Sequence, residues 1–335
     1  MHAACGSVVW PNTGHVLPST TIRSTEKQFV PLFFTHGASI ARTNPIATIR
    51  DRPSLGSRPK KWVCCHKLCG LVRGIVIAAG AGVRMGAHGE SRPKCLLHIA
   101  GRPLLAWTVD NLRRVGCDEI VVVTGHLAAM IDMAGIVKVQ NSDYWNNNIL
   151  HSLMYARDFL NGPVVVSYSD IWVEPSVYGT LMETSGDIVI AVDRDWRAYY
   201  EDRTDHPLSE AENVDITLGS TVARIGKSLD SADAIAGEFL GLWRMSANGT
   251  KVFRENFEKL EESLDPLSPF QRAAEWRKAY VTDLLQHLVD RGARVDCALV
   301  DRGWAELDTP QDYERLPLIA ARQNLTTLVE AGIGR

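Results

Sequence analysis

The chain lacks the features that mark membrane proteins and disulfide-stabilised proteins. It has no run of 18 or more apolar residues, and its most apolar stretches, such as 74–81, have only the length of a strand, so we expect no membrane span. Beyond residue 73 only three cysteines occur, Cys95, Cys117 and Cys297, which are too few and too scattered for a disulfide framework. This sparse use of cysteine favours a reducing compartment, and we predict a cytoplasmic protein.

A basic surface is also missing from most of the chain. The first 73 residues hold ten Lys or Arg and two acids, which leaves 26 of the 36 basic residues and 37 of the 39 acidic residues for the remainder. Because nucleic acids are bound through basic surfaces, the acidic body indicates that nucleic acid is not the partner. The hydrophobic content of 45% and charged content of 22% are those of an ordinary globular enzyme.

Residues 1–70 have no sustained hydrophobic periodicity and are rich in Ser, Thr, Pro and Arg. We expect a leader without a fold of its own, either disordered, or similar to an organelle transit peptide, or produced by a misassigned start codon. Cys64, Cys65, His66 and Cys69 superficially suggest a metal site, but no second ligand pair follows at zinc-finger spacing. The chemistry is therefore expected in residues 71–335.

Strand and helix patterns alternate with short connections from Val72 to Asp170. Short apolar runs predict buried strands, and amphipathic stretches between them predict helices. The predicted strands are Arg73–Ala79, Glu119–Thr124, Ile136–Gln140 and Pro163–Ser167, and the predicted helices are Pro103–Val115, Leu127–Met133 and Asn148–Leu160. The alternation predicts an α/β fold, a three-layer αβα sandwich with a mostly parallel, Rossmann-like sheet.

The rhythm changes after Asp170. Residues 186–243 are typical of mixed strands, and Gly219-Ser220 predicts the turn of a small β-hairpin subdomain. The C-terminal part is predicted to contain helices at Ser246–Leu260 and Pro269–Arg291, a strand at Arg294–Val300 and a last helix from Pro310.

The stretch from Ile77 to Met85 (IAAGAGVRM) is the most informative in the chain. Glycines that follow a buried strand let the backbone curve closely around a triphosphate and direct N–H groups at it. Arg84 adds a permanent charge in a fork that suits phosphate oxygens. Lys94 follows ten residues later, so a loop that folds back would place both cations on one triphosphate. The alternative for Lys94 is an ordinary solvated lysine.

Other phosphate-binding loops fit the sequence less well. A dinucleotide-binding loop requires G-x-G-x-x-G, but Gly80 and Gly82 are followed by Met85 where the third glycine should be. A Walker A loop requires G-x-x-x-x-G-K-[ST], which does not occur here.

Two aspartates are candidate magnesium ligands. Asp170 directly follows a predicted strand, at the edge of a parallel sheet where ligands bind. Asp308 lies in the segment Trp304–Thr309 (WAELDT), after the predicted strand that ends at Val300. Carboxylates of this kind hold Mg²⁺ in phosphoryl and nucleotidyl transfer. The alternative for Asp308 is capping of the helix that begins at Pro310.

Neutral and charged side chains farther along the chain are candidates for binding a nucleobase and the small molecule that would accept a transferred nucleotidyl group (the acceptor). Asn148 and Ser152 offer neutral donors and acceptors of the kind that a pyrimidine or ribose requires, although an asparagine there can also cap a helix. A polar, irregular stretch around residues 193–213 suits an anionic head and an amine-bearing tail, with a solvated loop as the alternative. The candidate acceptor residues are Trp196, Arg203, His206, Glu238 and Glu306.

The motifs A-A-G-x-G-x-R-M and P-K-x-L resemble those of the nucleotidyltransferase superfamily that includes sugar-1-phosphate and choline-phosphate nucleotidyltransferases. The resemblance extends from about Val72 to about Leu316. The segment Asn146–Leu153 (NNNILHSL) resembles the N-N-I-x-S block of bacterial choline-phosphate cytidylyltransferases and their relatives. Together with the acceptor segments, it is similar to cytidylyltransferases of phosphonate biosynthesis that are associated with phosphoenolpyruvate mutase. The resemblance implies a GT-A-like nucleotidyltransferase fold for residues 71–335, with 186–243 as the acceptor-side insertion.

The same resemblance implies roles for individual residues. Lys94 and Arg84 would be catalytic, and Asp170 and Asp308 would hold Mg²⁺. The nucleotide would be bound by Ala78, Ala79, Gly80, Ala81, Gly82, Arg84, Lys94, Asn148 and Ser152.

The sequence thus predicts a Mg²⁺-dependent nucleotidyltransferase, acting as a monomer or homodimer. CTP and a small acceptor of the 2-aminoethylphosphonate, 2-hydroxyethylphosphonate or choline-phosphate type would give a CMP conjugate and pyrophosphate. The alternatives are a sugar-1-phosphate nucleotidyltransferase that makes an NDP-sugar and a non-catalytic nucleotide-binding module. A GT-A glycosyltransferase would require a D-x-D pair, which Asp170-Ile171-Trp172 does not provide.

Overall fold

The computed structural model describes residues 71–229 and 236–322, except for the side chains of 317–322. The predicted leader and its cysteines lie outside the described residues. The strands are β1 (Arg73–Ala78), β2 (His98–Ile99), β3 (Arg102–Pro103), β4 (Glu119–Thr124), β5 (Val137–Gln140), β6 (Val164–Tyr168), β7 (Ile171–Val173), β8 (Ile188–Asp193), β9 (Glu212–Ile216), β10 (Val222–Lys227), β11 (Gly237–Met245), β12 (Asp296–Val300) and β13 (Trp304–Glu306). The α-helices are α1 (Ala87–Ser91), α2 (Leu104–Arg114), α3 (Ile149–Met154), α4 (Pro175–Glu183), α5 (Trp196–Tyr200), α6 (Ala247–Ser263), α7 (Val281–Asp290) and α8 (Pro310–Arg322).

A nine-stranded sheet forms the centre of the described fold. Strands β5, β4, β1 and β6 run parallel to one another, as the strand–helix alternation predicts. Strand β11 pairs antiparallel with β6, β8 and β9, and β12 adds to β8 in parallel. The predicted hairpin is present as β9 and β10, and its pairing with β11 makes it part of this sheet.

Helices cover both faces of the sheet. Successive residues of a strand point to opposite faces, so each strand contributes side chains to two cores. In β1, Val76 and Ala78 belong to a core with α2 and α4, whereas Ile75 and Ile77 belong to a second core with α3, α6 and α7. These two cores make three layers and confirm the predicted αβα class. Among the described residues, no helix is both long and apolar enough to cross a lipid bilayer.

Three helix predictions are wrong in extent. The predicted helix at Pro269–Arg291 begins only at Val281, because the Asp283 carboxylate accepts hydrogen bonds from the backbone N–H groups of Tyr280 and Arg272 and so caps the helix there. Asn148–Leu160 divides into α3 and a 3₁₀ turn, and Leu127–Met133 contains only a 3₁₀ turn.

A short antiparallel pair that the sequence did not suggest determines where the site lies. Strands β7 and β13 pair Ile171 with Glu306 and Val173 with Trp304. The pair continues one step further, because the backbone N–H of Leu307 donates to the carbonyl of Asp170 at 2.8 Å. The residue that precedes β7 therefore lies beside the residues that follow β13.

Candidate active site

A cavity of about 350 Å³ opens where β1 and β6 end. Strand β1 ends at Ala78 and the parallel strand β6 ends at Tyr168, so the chain leaves both strands at the same edge of the sheet. This edge is where ligands bind in open α/β sheets. Of the residues predicted to bind the nucleotide or metal, all line the cavity: Ala78, Ala79, Gly80, Ala81, Gly82, Arg84, Lys94, Asn148, Ser152, Asp170 and Asp308.

Gly82 determines the backbone conformation of the glycine-rich loop. Its φ of 62° lies in the left-handed region, and a 3₁₀ turn follows at Val83–Met85. A Cβ added at Gly82 would lie 3.1 Å from Cγ of Lys94, so the aliphatic stem of this lysine packs on the loop. The fold-back of Lys94 onto the glycine-rich loop, expected from the sequence, is present.

Asp170 and Asp308 converge on the Lys94 ammonium. Lys94 Nζ lies 3.4 Å from Asp170 Oδ2 and also forms an ion pair with Asp308 Oδ1. The convergence follows from the β7–β13 pair, which places the two aspartates next to each other. The contacts of Asp308 do not support the alternative that it caps α8. The backbone N–H groups of Asp308 and Thr309, at the start of this helix, donate to the Asp312 carboxylate instead.

Asp308 is almost fully buried, yet its surroundings keep it ionised. Arg84 lies 2.5 Å and His206 3.0 Å from its Oδ2, and Lys94 contacts its other oxygen. Burial alone would raise the pKa of Asp308, but the close contact with His206 and the positive charges of Lys94 and Arg84 hold it well below its usual range. Arg84 and Lys94, the cations predicted to bind phosphate, thus neutralise the buried Asp308 in this structure.

The negative charge of Glu306 is less well balanced by neighbouring cations than that of Asp308. Burial and the neighbouring charge of Asp308 raise the pKa of Glu306, while Arg203 and His206 oppose the shift. Arg203 donates to Glu306 Oε2 at 2.9 Å, and His206 Nε2 lies 3.6 Å from the same oxygen.

These carboxylates form a donor set that fits a divalent cation. Asp170 and Asp308 supply the hard oxygen ligands that Mg²⁺ prefers, and both reach the same ammonium group. In addition, His206, Glu306 and Asp308 each bring one ligand atom within 4.8 Å of the others.

The candidate acceptor residues fall into two groups. His206 and Glu306 line the cavity, whereas Trp196, Arg203 and Glu238 are not among the residues that line it. Arg203 binds Asp312 through Nε at 2.7 Å behind the cavity, and Glu238 accepts a hydrogen bond from Tyr200. Trp196 is buried in the core. Trp196 and Arg203 are therefore buried side chains of a segment that is otherwise largely exposed, and Glu238 lies in β11.

Twelve further residues line the cavity although the sequence analysis did not select them as site residues, among them Tyr168, Glu210, Glu212, Lys227 and Tyr280. Lys227 Nζ lies 2.7 Å from Glu210 and 4.5 Å from the centre of the Tyr280 ring. Arg84 lies 3.4 Å from Glu210, so an unbroken chain of ion pairs runs from Asp308 to Lys227. The sequence carried no signal for Lys227, since the hairpin pattern predicts strands without showing which side chains face the cavity.

Glu212 is a buried acid with both oxygens engaged. Tyr168 donates to Oε2 at 3.1 Å and Thr282 to Oε1 at 2.9 Å. Burial raises the pKa of Glu212 to about 7, although Lys227 and the two hydrogen bonds oppose the shift.

Comparison with known proteins identifies similar sequences. Residues 74–295 match the family model of the MobA-like NTP transferase domain. CTP:phosphoglutamine cytidylyltransferase of Campylobacter jejuni is 24% identical over 72% of the chain and 97% of its own length. CMP-5'-(3-aminopropyl)phosphonate synthase of Streptomyces rubellomurinus is 39% identical, but the match covers 38% of the chain and only 21% of that relative.

Solved structures share the fold. The CTP:phosphocholine cytidylyltransferase of Streptococcus pneumoniae superposes with a TM-score of 0.59 at 19% identity, over 74% of the chain and 99% of that protein. The inositol-1-phosphate CTP transferase of T. maritima gives a TM-score of 0.57 at 20% identity, over 75% and 96%.

Proposed function

The chain belongs to the MobA-like NTP transferase family, and from that premise we propose that it transfers the cytidylyl group of CTP to a small acceptor that carries a phosphate or phosphonate. Family membership makes the chain a nucleotidyltransferase, as the motif around Gly80 predicted. CTP and the acceptor class are the proposal.

One observation carries this proposal: Arg84, Lys94, Asp170 and Asp308 meet on a single cavity beside the glycine-rich loop. Two cations and backbone N–H groups suit the charge of a triphosphate. Two carboxylates at the same place suit the divalent cation that accompanies it.

The reaction is an in-line displacement at the α-phosphorus of CTP. A phosphate or phosphonate oxygen of the acceptor forms the new O–P bond, and the bond to the β-phosphate oxygen breaks to release pyrophosphate. The attacking oxygen is already ionised near neutral pH, so no general base is needed. Lys94 and Arg84 orient the phosphates and stabilise the charge that develops on them. Asp170 and Asp308 would hold Mg²⁺, which when bound neutralises phosphate charge.

The acceptor is assigned to the wall formed by Glu210, Glu212 and Lys227. Lys227 offers a cation for the anionic head, and the Glu212 oxygens, each of which accepts one hydrogen bond and can accept another, offer acceptors for an amino or hydroxyl group. A quaternary ammonium group would need open aromatic faces, but Lys227 already lies over Tyr280. These contacts favour acceptors of the 2-aminoethylphosphonate or 2-hydroxyethylphosphonate type over choline phosphate.

Pyrophosphate release tests the proposal. The full chain is incubated with Mg²⁺, each nucleoside triphosphate in turn, and a panel of aminoalkyl and hydroxyalkyl phosphonates, choline phosphate and sugar 1-phosphates. We expect release with CTP and a short phosphonate, which Asp308→Asn abolishes and the exposed Asp301→Asn leaves intact. Faster turnover of sugar 1-phosphates would point to NDP-sugar synthesis, and no release with any pair would refute the proposal.

A further inference from the structure

Four neutral polar side chains that line the cavity come from one stretch of chain, residues 144–152: Tyr144, Asn147, Asn148 and Ser152. Charged groups dominate the rest of the polar lining. A nucleobase is uncharged and is recognised by a pattern of donors and acceptors, so this stretch suits the base of the proposed nucleotide. Which pattern it presents depends on where the hydrogens lie.

Asn148 and Asn147 differ in the partners of their side-chain amide groups. Asn148 is committed to the backbone, since its Oδ1 accepts from Ile149 N–H and its Nδ2 donates to the carbonyl of Lys278. Asn147 instead pairs with Asn141, a fully buried residue outside the cavity lining.

Asn141 joins Asn147 and Ser152 in one network. Its Nδ2 donates to Asn147 Oδ1 and to Ser152 Oγ, each at 2.9 Å, and its Oδ1 accepts from Asn147 Nδ2 at 3.2 Å. The Asn141 oxygen also accepts the backbone N–H of Asp143 at 2.9 Å.

The backbone contact determines the direction of every other bond in the network. A backbone N–H can only donate, so the Asn141 atom that faces Asp143 is the oxygen and the other is the nitrogen. Both hydrogens of that nitrogen are used, and Ser152 Oγ therefore accepts one of them. Its own proton is directed at Asn147 Oδ1, 3.3 Å away, which makes the longest hydrogen bond of the network. The second Asn147 N–H is left as a donor for a ligand, and the Ser152 hydroxyl becomes the second donor when its proton turns from this long bond to the ligand.

Two donors distinguish cytosine from uracil. The O2 and N3 atoms of cytosine both accept hydrogen bonds, whereas uracil carries a hydrogen on N3. Donors that face this edge are satisfied by cytosine, and uracil would leave one of them opposed to another donor.

We infer that Asn141 is a positioning residue for base selection, which fixes Asn147 and Ser152 as donors to the O2/N3 edge of cytosine. The inference rests on the proposed function. It assigns the preference for CTP over UTP to a residue that does not line the cavity.

Asn141→Asp tests the inference, because it keeps the shape of the side chain but replaces the donating group with an acceptor. The Ser152 proton would then turn toward residue 141 and away from the base. We expect kcat/KM for CTP to fall about 10- to 100-fold and the CTP/UTP ratio to approach one, with the KM of the acceptor unchanged. Ser152→Ala should also lower the ratio, and adding Asn141→Asp to it should cost little more.

Asn111→Asp is the matched control. Asn111 is also buried and makes one hydrogen bond, to the carbonyl of Val173, away from the cavity. It should lower stability without changing the CTP/UTP ratio. Should Asn141→Asp fail to fold, Ser152→Ala decides, with CTP and UTP binding measured directly by calorimetry. An unchanged ratio in the folded variants overturns the inference, whereas a wild-type chain that binds CTP selectively but transfers nothing refutes only the proposed function.

Discussion

Replacing Lys94 with methionine separates its charge from its packing. The Lys94 stem lies against Gly82, and its ammonium group contacts both aspartates of the site. Methionine keeps most of the stem and removes the charge. A cation about 4 Å from a phosphate charge contributes about 4 kcal/mol at the effective dielectric constant of a partly exposed site, which corresponds to about a thousandfold in rate.

We therefore expect kcat of Lys94→Met to fall about 10²- to 10⁴-fold. The loss should persist at saturating CTP, because the charge acts on the phosphorus under attack. Single-turnover pyrophosphate release measures it, and Lys259→Met on the exposed side of α6 serves as the control. Turnover within threefold of wild type, in a variant with a native circular dichroism spectrum, would remove Lys94 from the mechanism.

Three further predictions concern the surroundings of the site. Gly82→Ala forces a side chain into a left-handed conformation against Lys94, so it should lower the free energy of unfolding by about 1 kcal/mol and lower kcat/KM for CTP, as measured by urea titration and steady-state kinetics. Arg203→Ala breaks a buried pair with Asp312 and should cost about 3–5 kcal/mol of stability in the same titration; a selective rise in acceptor KM without lost stability would instead restore Arg203 to the acceptor site. The raised pKa of Glu212 means that the folded protein binds its proton more tightly than the unfolded chain, so stability is lost as pH rises from about 4.5 to about 7. Glu212→Gln should thus be more stable than wild type by about 3 kcal/mol at pH 8, with the gap narrowing toward pH 5, and an equal gap at both pH values would refute this assignment.

The phosphate-binding half of the site was predictable because its signal is local. A buried strand, a glycine-rich turn and Arg84 follow one another within a dozen residues, and their order alone implies the geometry that β1 and Gly82 adopt. Lys94 needed only one short fold-back. Such a pattern depends only on residues that are neighbours in the chain, so tertiary contacts do not change the local structure that it predicts.

The half of the cavity to which we assign the acceptor was less predictable because distant partners determine it. Arg203 was predicted to bind the acceptor, with a solvated loop as the alternative, but a carboxylate 109 residues later, Asp312, holds it in the interior. Glu212 and Lys227 sit in a hairpin whose pattern predicts strands and says nothing about which side chains face a cavity built by β6 and α7. The Pro269–Arg291 helix was overextended for a related reason, since the capping role of Asp283 depends on its side-chain orientation.

The three-residue pairing of β7 with β13 separates two tasks within the chain. It connects Asp170 to the segment that carries Asp308 through residues 171–173 and 304–306, without using the β9–β10 hairpin. The hairpin, which supplies Glu212 and Lys227, can therefore exchange side chains while the two aspartates keep their spacing. Under the proposed function, the choice of acceptor can then diverge under selection, or be re-engineered, while the nucleotide side of the site stays unaltered.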